Sequence, residues 1–368
     1  MVEGPRAVPV DRIDELIQLC NRIFRSSGGD MGAEYPLVFD RGQPDNMRVI
    51  LEDGKIVSHI GLCIRDASIL GRTLRTASIG AVCTDPEHRN RGHAWALLND
   101  CLIRSQEQGV HVILISGDRS LYRRFGGCRP GSFHQTEVAG APLPAGLGLD
   151  LASPGDASTL VKLHQGESVR FIRPAHDWER LLRSGMLMNR SADCWIVRDA
   201  EAALGYIAVQ RPASHSQGDT LPRVREYAGA RNAVWSGIQA LATHYGSATI
   251  GVAVMPGDAD VLSRARMADL PIHRHTFEGT TLFADVGAAV EALQPLWAER
   301  HSAEIVERLR LKADLDGLEH ASDSGTIRLD GSQAIQAIFG RESGERGDDS
   351  ILPGIDPLPY LDSGYNYV

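Results

Sequence analysis

The sequence predicts a mixed α/β protein, α+β in its sheets, made of two units of similar element order and a small α+β segment near the end. Three observations carry this. Apolar residues recur with the period of strands in some stretches and of helices in others, Asp-Gly and other Gly-containing turns join the strand-like runs into hairpins, and a strand–turn–helix–strand series occurs twice. At 368 residues the chain exceeds what one core commonly organises.

Composition narrows the partners. An apolar content of 43% excludes a disordered chain, and 38 basic against 47 acidic residues disfavour unspecific binding to nucleic acid or to a membrane surface. The expected partners are therefore small and neutral or cationic, with no nucleic acid and no membrane. No apolar run reaches the length of a membrane span, and Glu3, Arg6, Asp11, Arg12, Asp14 and Glu15 stand where a signal peptide needs apolar residues, so a soluble, cytoplasmic protein is expected. Cys20, Cys63, Cys83, Cys101, Cys128 and Cys194 form no C-x-x-C pair and read as reduced core residues. The histidines show no metal-ligand spacing, so no metal is expected.

In chain order, residues 6–10 read as a strand, and Asp11 as the cap of a helix whose Ile13, Leu16, Ile17, Cys20, Ile23 and Phe24 share a face. Asp53-Gly54 predicts a hairpin between MRVILE and KIVSHIGLCIR, and a turn near Gly71 leads to TLRTASIGAVCT. Ala94, Leu97, Leu98, Cys101 and Leu102 give a helix stopped by Gly109, and VHVILIS is a buried strand that must run parallel to its predecessor. DRSLYRRFGGCRPG gives a short helix and turn, and a strand near 132–138 is expected to close the first unit.

GAPLPAGLG at 140–148 reads as a linker, followed by a strand and a helix capped near Asp156. CWIVRDAEAALGYIAV is a hairpin, VREYAG a strand, Ala233 to His244 a helix, ATIGVAV a strand, Asp258 to Arg266 a helix and HTFEGTTLF a strand. Two helices, at VGAAVEALQPLWAER and AEIVERLRL, precede the strand TIRLD and the helix SQAIQAIF. The last residues carry Pro353, Pro357, Pro359, Tyr360, Tyr365 and Tyr367, a pattern that favours an extended docked arm over a solvated tail.

The segment GAVCTDPEHRNRGHAWALL, residues 80–98, runs from a strand through a turn into a helix. Unpaired N–H groups and the positive end of the helix dipole make such a start an anion site, and Gly92 lets a phosphate approach with no Cβ in the way. Neither G-x-G-x-x-G nor G-x-x-x-x-G-K-[ST] occurs, which sets aside two common phosphate folds.

Arg89 to Ala94 form R-x-x-G-x-A between a strand and an amphipathic helix. This resembles the pyrophosphate loop of the GNAT superfamily of acetyl-CoA-dependent N-acetyltransferases, and the surrounding elements match its order over residues 5–138. The resemblance implies that main-chain groups of Val82, Cys83 and Thr84 pair with the pantetheine arm of acetyl-CoA. It further implies that Arg89, Asn90, Arg91, Gly92, His93 and Ala94 hold the pyrophosphate. Tyr122, in LYRRFGG, stands where the superfamily often places a tyrosine near the thioester sulfur; it is either the general acid for the departing thiolate or a packing residue. Asp118 is either a helix cap or a contact to substrate or water.

The Y-x-R-F-G motif, the second unit and RLDGSQAIQAIFG together resemble the enhanced intracellular survival family, which joins two GNAT folds to a sterol-carrier-protein-like domain. This implies domains at 1–140, 146–286 and 287–368, the last short for that fold. VREYAGARNAVW fills the second strand-to-helix junction without R-x-x-G-x-A, so no acetyl-CoA site is expected there. The resemblance also implies that the chain end reaches the active site, with the α-carboxylate of Val368 as base; relay through a water is the alternative. Glu226 and Tyr227 are candidates for the wall of a cationic amine pocket. The expected activity is direct acetyl transfer to a primary amine, the alternative a non-catalytic acyl-CoA or lipid binder; a homo-oligomer is left open.

Overall fold

The computed structural model describes residues 1–212, 221–302, 304, 306, 307, 310–322, 325–341, 352, 356–361 and 364. It divides into two compact units, Met1–Pro130 with Glu278–Leu358 and Gly131–Phe277 with Pro359–Tyr367. The expected helix at AEIVERLRL lies partly outside the described residues, and Tyr365, Tyr367 and Val368 lie wholly outside them.

The first unit begins with β1 (Val2–Ala7), α1 (Ile13–Phe24), the short α2 (Met31–Glu34), β2 (Met47–Glu52), β3 (Lys55–Ile69), β4 (Arg72–Thr84), α3 (His93–Glu107), β5 (Val112–Ile115) and the one-turn α4 (Ser120–Arg123). Strand β1 starts earlier than expected because Val2, Glu3, Arg6 and Ala7 all pair with β2. Asp11 does not cap α1: it sits inside a 3-10 turn, Val10–Arg12, and the helix start at Arg12 has no side-chain cap. Arg12 instead holds Glu15 and the Gly54 carbonyl. The buried face of α1 is Ile13, Leu16, Leu19 and Cys20, while Ile17, Ile23 and Phe24 are only half-buried. The Asp53-Gly54 turn forms as expected, with φ of 47° and 76°, the left-handed pair that a two-residue hairpin with matching twist requires.

The second unit comprises β6 (Ser132–Ala139), β7 (Gly148–Leu151), α5 (Ala157–Gln165), β8 (Val169–Phe171), α6 (Ala175–Ser184), β9 (Met186–Leu187), β10 (Arg190–Arg198), β11 (Ala203–Gln210), β12 (Arg223–Gly229), α7 (Arg231–His244), β13 (Thr249–Val254), α8 (Ala259–Met267) and β14 (His273–Thr276). The chain then returns to the first unit with β15 (Thr280–Phe283), α9 (Val286–Arg300), the small sheet β16 (Lys312–Ala313), β17 (Gly317–Ser322) and β18 (Gly325–Asp330), and α10 (Gly331–Phe339).

In the first unit the strand order is β1-β2-β3-β4-β5-β15, with β4 and β5 parallel and joined by α3. Leu97, Leu98 and Cys101 of α3 pack on Ile60, Leu62, Ala77, Ile79, Ile113 and Ile115. In the second the order is β14-β6-β13-β12-β11-β10-β7, with β12 and β13 parallel and joined by α7. Val234, Ile238 and Leu241 of α7 pack on Ile207, Val209, Val224, Ile250 and Val252. Each sheet therefore contains one parallel pair spanned by a helix, the crossover read from the sequence.

Two strands join sheets other than expected. The strand at 132–139 does not close the first unit; it pairs with β13 and β14 in the second sheet. The place beside β5 goes to β15, through Thr280↔Ile115 to Phe283↔Val112. Correspondingly, HTFEGTTLF is not one strand but two, β14 and β15, in different sheets. Gly279 at the break lies so close to the Ile115 carbonyl that a side chain there would collide with it. Asp156 does not cap α5; its carboxylate folds back on Ser153 in a capping box one turn earlier. Contacts group Glu278–Leu358 with Met1–Pro130, where the sequence suggested a separate segment from residue 287.

Candidate acyl-donor site

The site is prepared by a defect in β4. Opposite β3, His59 pairs with Cys83 and Gly61 with Gly80, so Ala81 and Val82 together face Ile60 alone. This is a β-bulge, and Ala81 takes the left-handed conformation at φ 52°. Pairing with β5 ends at Ile79↔Ile115, whereas β4 continues to Thr84. Among the described residues no strand pairs with β4 on that side beyond Ile79, which leaves the main chain of residues 80–84 open to an extended ligand.

Beyond Thr84 the chain makes a 3-10 turn, Pro86–His88, with the Asp85 carboxylate accepting from the Glu87 N–H. Asn90 and Gly92 then adopt left-handed backbone, φ 62° and 81°, and α3 starts at His93. No side chain caps this start, and a Cβ placed on Gly92 would meet nothing within 4 Å. The first-turn N–H groups of a 15-residue helix thus open on free space, which suits an anion.

The side chains around the turn are tied more closely than the sequence suggested. Glu52, at the end of β2, accepts from Arg91 Nη1 at 2.6 Å, lies 2.7 Å from His93 Nε2 and stands 3.5 Å from His88 Nε2. Arg91 also donates to the Glu87 carbonyl, and Arg89 Nε to the Thr84 carbonyl. His93 and Arg91 therefore brace the turn through Glu52. Glu52 was not singled out from the sequence; its place beside the Asp53-Gly54 turn gives no chemical signal. Ser58 supports the strand end, donating to the Cys83 carbonyl at 2.9 Å with its oxygen 2.8 Å from that of Thr84.

Tyr122 sits on α4 in the same unit, 2% exposed, and its hydroxyl finds no hydrogen-bond partner among the described residues. Burial raises its pKa above the usual tyrosine value, so the hydroxyl carries its proton at neutral pH, as an acid must. Asp118 is not the cap of α4, whose N-cap is Arg119 without a side-chain bond. It holds Arg123 and, at 3.0 Å, Arg129, and the hydrogen bond from Arg123 keeps its carboxyl below the ordinary range.

Glu226 and Tyr227 line a cavity of about 130 Å³ within the second unit, together with Glu167, Arg173, Arg231 and Tyr360. Their polar groups are already engaged. Glu226 accepts from both terminal nitrogens of Arg173, at 2.9 and 3.2 Å, and from the Tyr206 hydroxyl at 2.6 Å, and Tyr227 donates to Asp258 at 2.9 Å. Burial alone would raise the Glu226 pKa, but Arg173 overrides it and brings it down to about 2. Glu226 and Tyr227 thus line the cavity with their polar groups bonded to neighbouring side chains. The described part of the chain end packs in this unit: Tyr360 is 8% and Leu361 2% exposed, the Tyr360 ring lies 5.0 Å from that of Phe277, and a side chain at Gly364 would run into the Glu226 carboxylate.

Among the described residues no group of three or more His, Cys, Asp or Glu is arranged to hold a metal ion, and no helix is long and apolar enough to cross a membrane. The described cysteines are all free.

Known structures share the fold. A GCN5-related N-acetyltransferase from Anabaena variabilis superposes with a TM-score of 0.62 at 19% identity, over 90% of this chain and 86% of that one. Another from Kribbella flavida gives 0.56 at 16% identity, over 79% and 74%. Eis1 from Mycobacterium abscessus gives 0.55 at 15% identity, over 79% and 76%. At such identities the likeness fixes the fold alone. No curated protein matches the sequence. Residues 5–130 match the family model of the acetyltransferase (GNAT) domain, the stretch that holds the bulged β4, the open helix start and Tyr122.

Proposed function

We propose that the protein is an acetyl-CoA-dependent N-acetyltransferase that moves an acetyl group directly to a primary amine of a small cationic molecule or a lysine. The observation that carries the reading is the uncapped, unobstructed start of α3, reached through residues 85–92 from a bulged strand that no strand among the described residues pairs with on the β5 side beyond Ile79. A diphosphate fits those amides, and an extended pantetheine arm fits the open edge of Val82, Cys83 and Thr84. When bound, the donor supplies an acetyl group on a thioester.

The residues then have distinct tasks. Arg89 to Ala94 anchor the donor, with Arg91 and His93 held in place by Glu52. The β4 main chain aligns the thioester, reducing the entropy lost on reaching the transition state. Tyr122 donates its proton to the departing sulfur, so that a thiol leaves instead of a thiolate. The base of this reading is the α-carboxylate of Val368 or a water; Val368 lies outside the described residues, and the buried Tyr360, Leu361 and Gly364 support a docked chain end. The second unit is a GNAT-like fold without a donor site, in line with its crossover β12-α7-β13 and its lack of R-x-x-G-x-A.

Release of free thiol from acetyl-CoA, followed over polyamines, aminoglycosides and lysine peptides, tests the proposal. Amine-dependent thiol release is expected. Binding of acetyl-CoA without turnover on any amine would favour a non-catalytic acyl-CoA binder. Removing the last four residues is expected to lower turnover and leave donor affinity unchanged, and full turnover in that variant would exclude the carboxylate as base.

A further inference from the structure

Three residues after Gly92, the first turn of α3 presents an indole to solvent. Trp95 is 45% exposed, whereas Trp178 and Trp297 are 0% and Trp235 9% exposed, so this ring is not part of the core. It rests on Phe125 with centroids 4.2 Å apart and planes at 44°. Phe125 is fixed in turn, since its N–H donates to the Tyr122 carbonyl at 3.0 Å. The Arg124 guanidinium lies 5.5 Å over the indole, is exposed, and has no acidic partner among the described residues. Its neighbour Arg123, by contrast, is neutralised by Asp118.

A half-exposed indole beside a guanidinium that has no acidic partner among the described residues matches a flat base with an anionic group attached. Helical rise places Trp95 within about 5 Å along the axis of the amides that face an anion at Gly92. We propose that Trp95, braced by Phe125, stacks on the adenine of the acyl donor and that Arg124 binds its 3′-phosphate, so that these residues set the preference for coenzyme A over shorter or dephosphorylated donors. This rests on the donor site proposed above and adds the part of the ligand that the pyrophosphate turn does not touch. Base stacking on an aromatic side chain contributes about 1–3 kcal/mol, and Arg suits a phosphate through its paired donors.

Calorimetric titrations of coenzyme A and dephospho-coenzyme A into the full chain test it, alongside tryptophan fluorescence. The wild type is expected to prefer coenzyme A roughly tenfold. In Arg124→Gln that ratio falls toward one, while Trp95→Ala weakens both ligands about tenfold. Coenzyme A quenches part of the wild-type emission, and Trp95→Phe removes that quench. Wild-type binding that neither variant alters, with an unchanged ratio, would overturn this inference and leave the donor site standing. No binding of coenzyme A by the wild type would overturn both.

Discussion

The two strand-to-helix junctions of this protein each lead through a helix to a parallel strand, and they differ in length and in the groups packed at the turn. In the first unit β4 bulges at Ala81 and Val82, and an eight-residue connection, 85–92, delivers the chain to an uncapped helix. In the second, β12 shifts register between Ala208↔Glu226 and Val209↔Val224, and only Ala230 separates it from α7. There the chain supplies its own anion: the Glu167 carboxylate accepts from the Gly229 N–H at 3.0 Å and from Arg231 at 2.9 and 2.5 Å. Asp258 takes the remaining donor of Arg231 at 2.8 Å and the Tyr227 hydroxyl. Neither helix start has a side-chain cap; the second junction differs in that two carboxylates and an arginine fill the turn before it. A shared crossover thus leaves the two junctions with different surroundings.

Breaking the filled junction should produce the largest effect. Arg231→Met removes the cation that Glu167 and Asp258 share, in a place where Arg231 is 20% exposed. The expected cost is about 3 kcal/mol of stability, read by chemical denaturation, with coenzyme A affinity unchanged at temperatures where the variant is folded. Reduced affinity in the folded variant would mean that the two junctions are not independent.

At the open junction, Tyr122→Phe should lower kcat about 100-fold with little change in KM for acetyl-CoA, as expected of a group that acts in the transition state. An unimpaired variant reduces Tyr122 to packing. Gly92→Val forces a β-branched residue into left-handed backbone and puts a side chain where the phosphate would lie. Donor affinity should fall about 30-fold.

The smallest effect sharpens the comparison through pH. Burial holds the His164 pKa down at about 3, where an unfolded chain would have 6.5. Its ring lies between the Tyr206 hydroxyl, 2.8 Å from Nδ1, and the Phe171 carbonyl, 3.1 Å from Nε2. The unfolded chain takes up a proton below pH 6.5 that the folded one refuses, so stability falls as pH drops through this window. Glu226, depressed to about 2, adds stability that is complete above its ordinary 4.5 and is lost as pH falls toward 2. His164→Gln should therefore flatten the dependence of unfolding free energy on pH between 4 and 6 by about one proton. An unchanged slope would show that His164 titrates alike in both states.

Much of this was legible in the sequence for identifiable reasons. Asp53-Gly54 fixed a hairpin because few dipeptides tolerate two positive φ values, and the spacing of Leu97, Leu98 and Cys101 fixed the buried face of α3. The turn at Gly92 was recognisable as a strand-to-helix junction because R-x-x-G-x-A stands between an apolar strand and an amphipathic helix. What escaped was long-range. The exchange of β6 and β15 depends on which sheet edge each strand meets, and either edge accepts an alternating strand. Asp11 and Asp156 each lie next to a helix start, yet a 3-10 turn or a folded-back capping box satisfies the same groups. The pairing of Glu226 with Arg173 escaped because the two lie 53 residues apart in sequence.

The central claim is that one helix start per chain, at Gly92, receives the diphosphate of the donor. Calorimetric titration of coenzyme A into the wild type and into Gly92→Val tests it most directly. One site per chain, weakened about 30-fold in the variant, is the predicted result. Two sites, no heat, or undiminished affinity in the variant would contradict it.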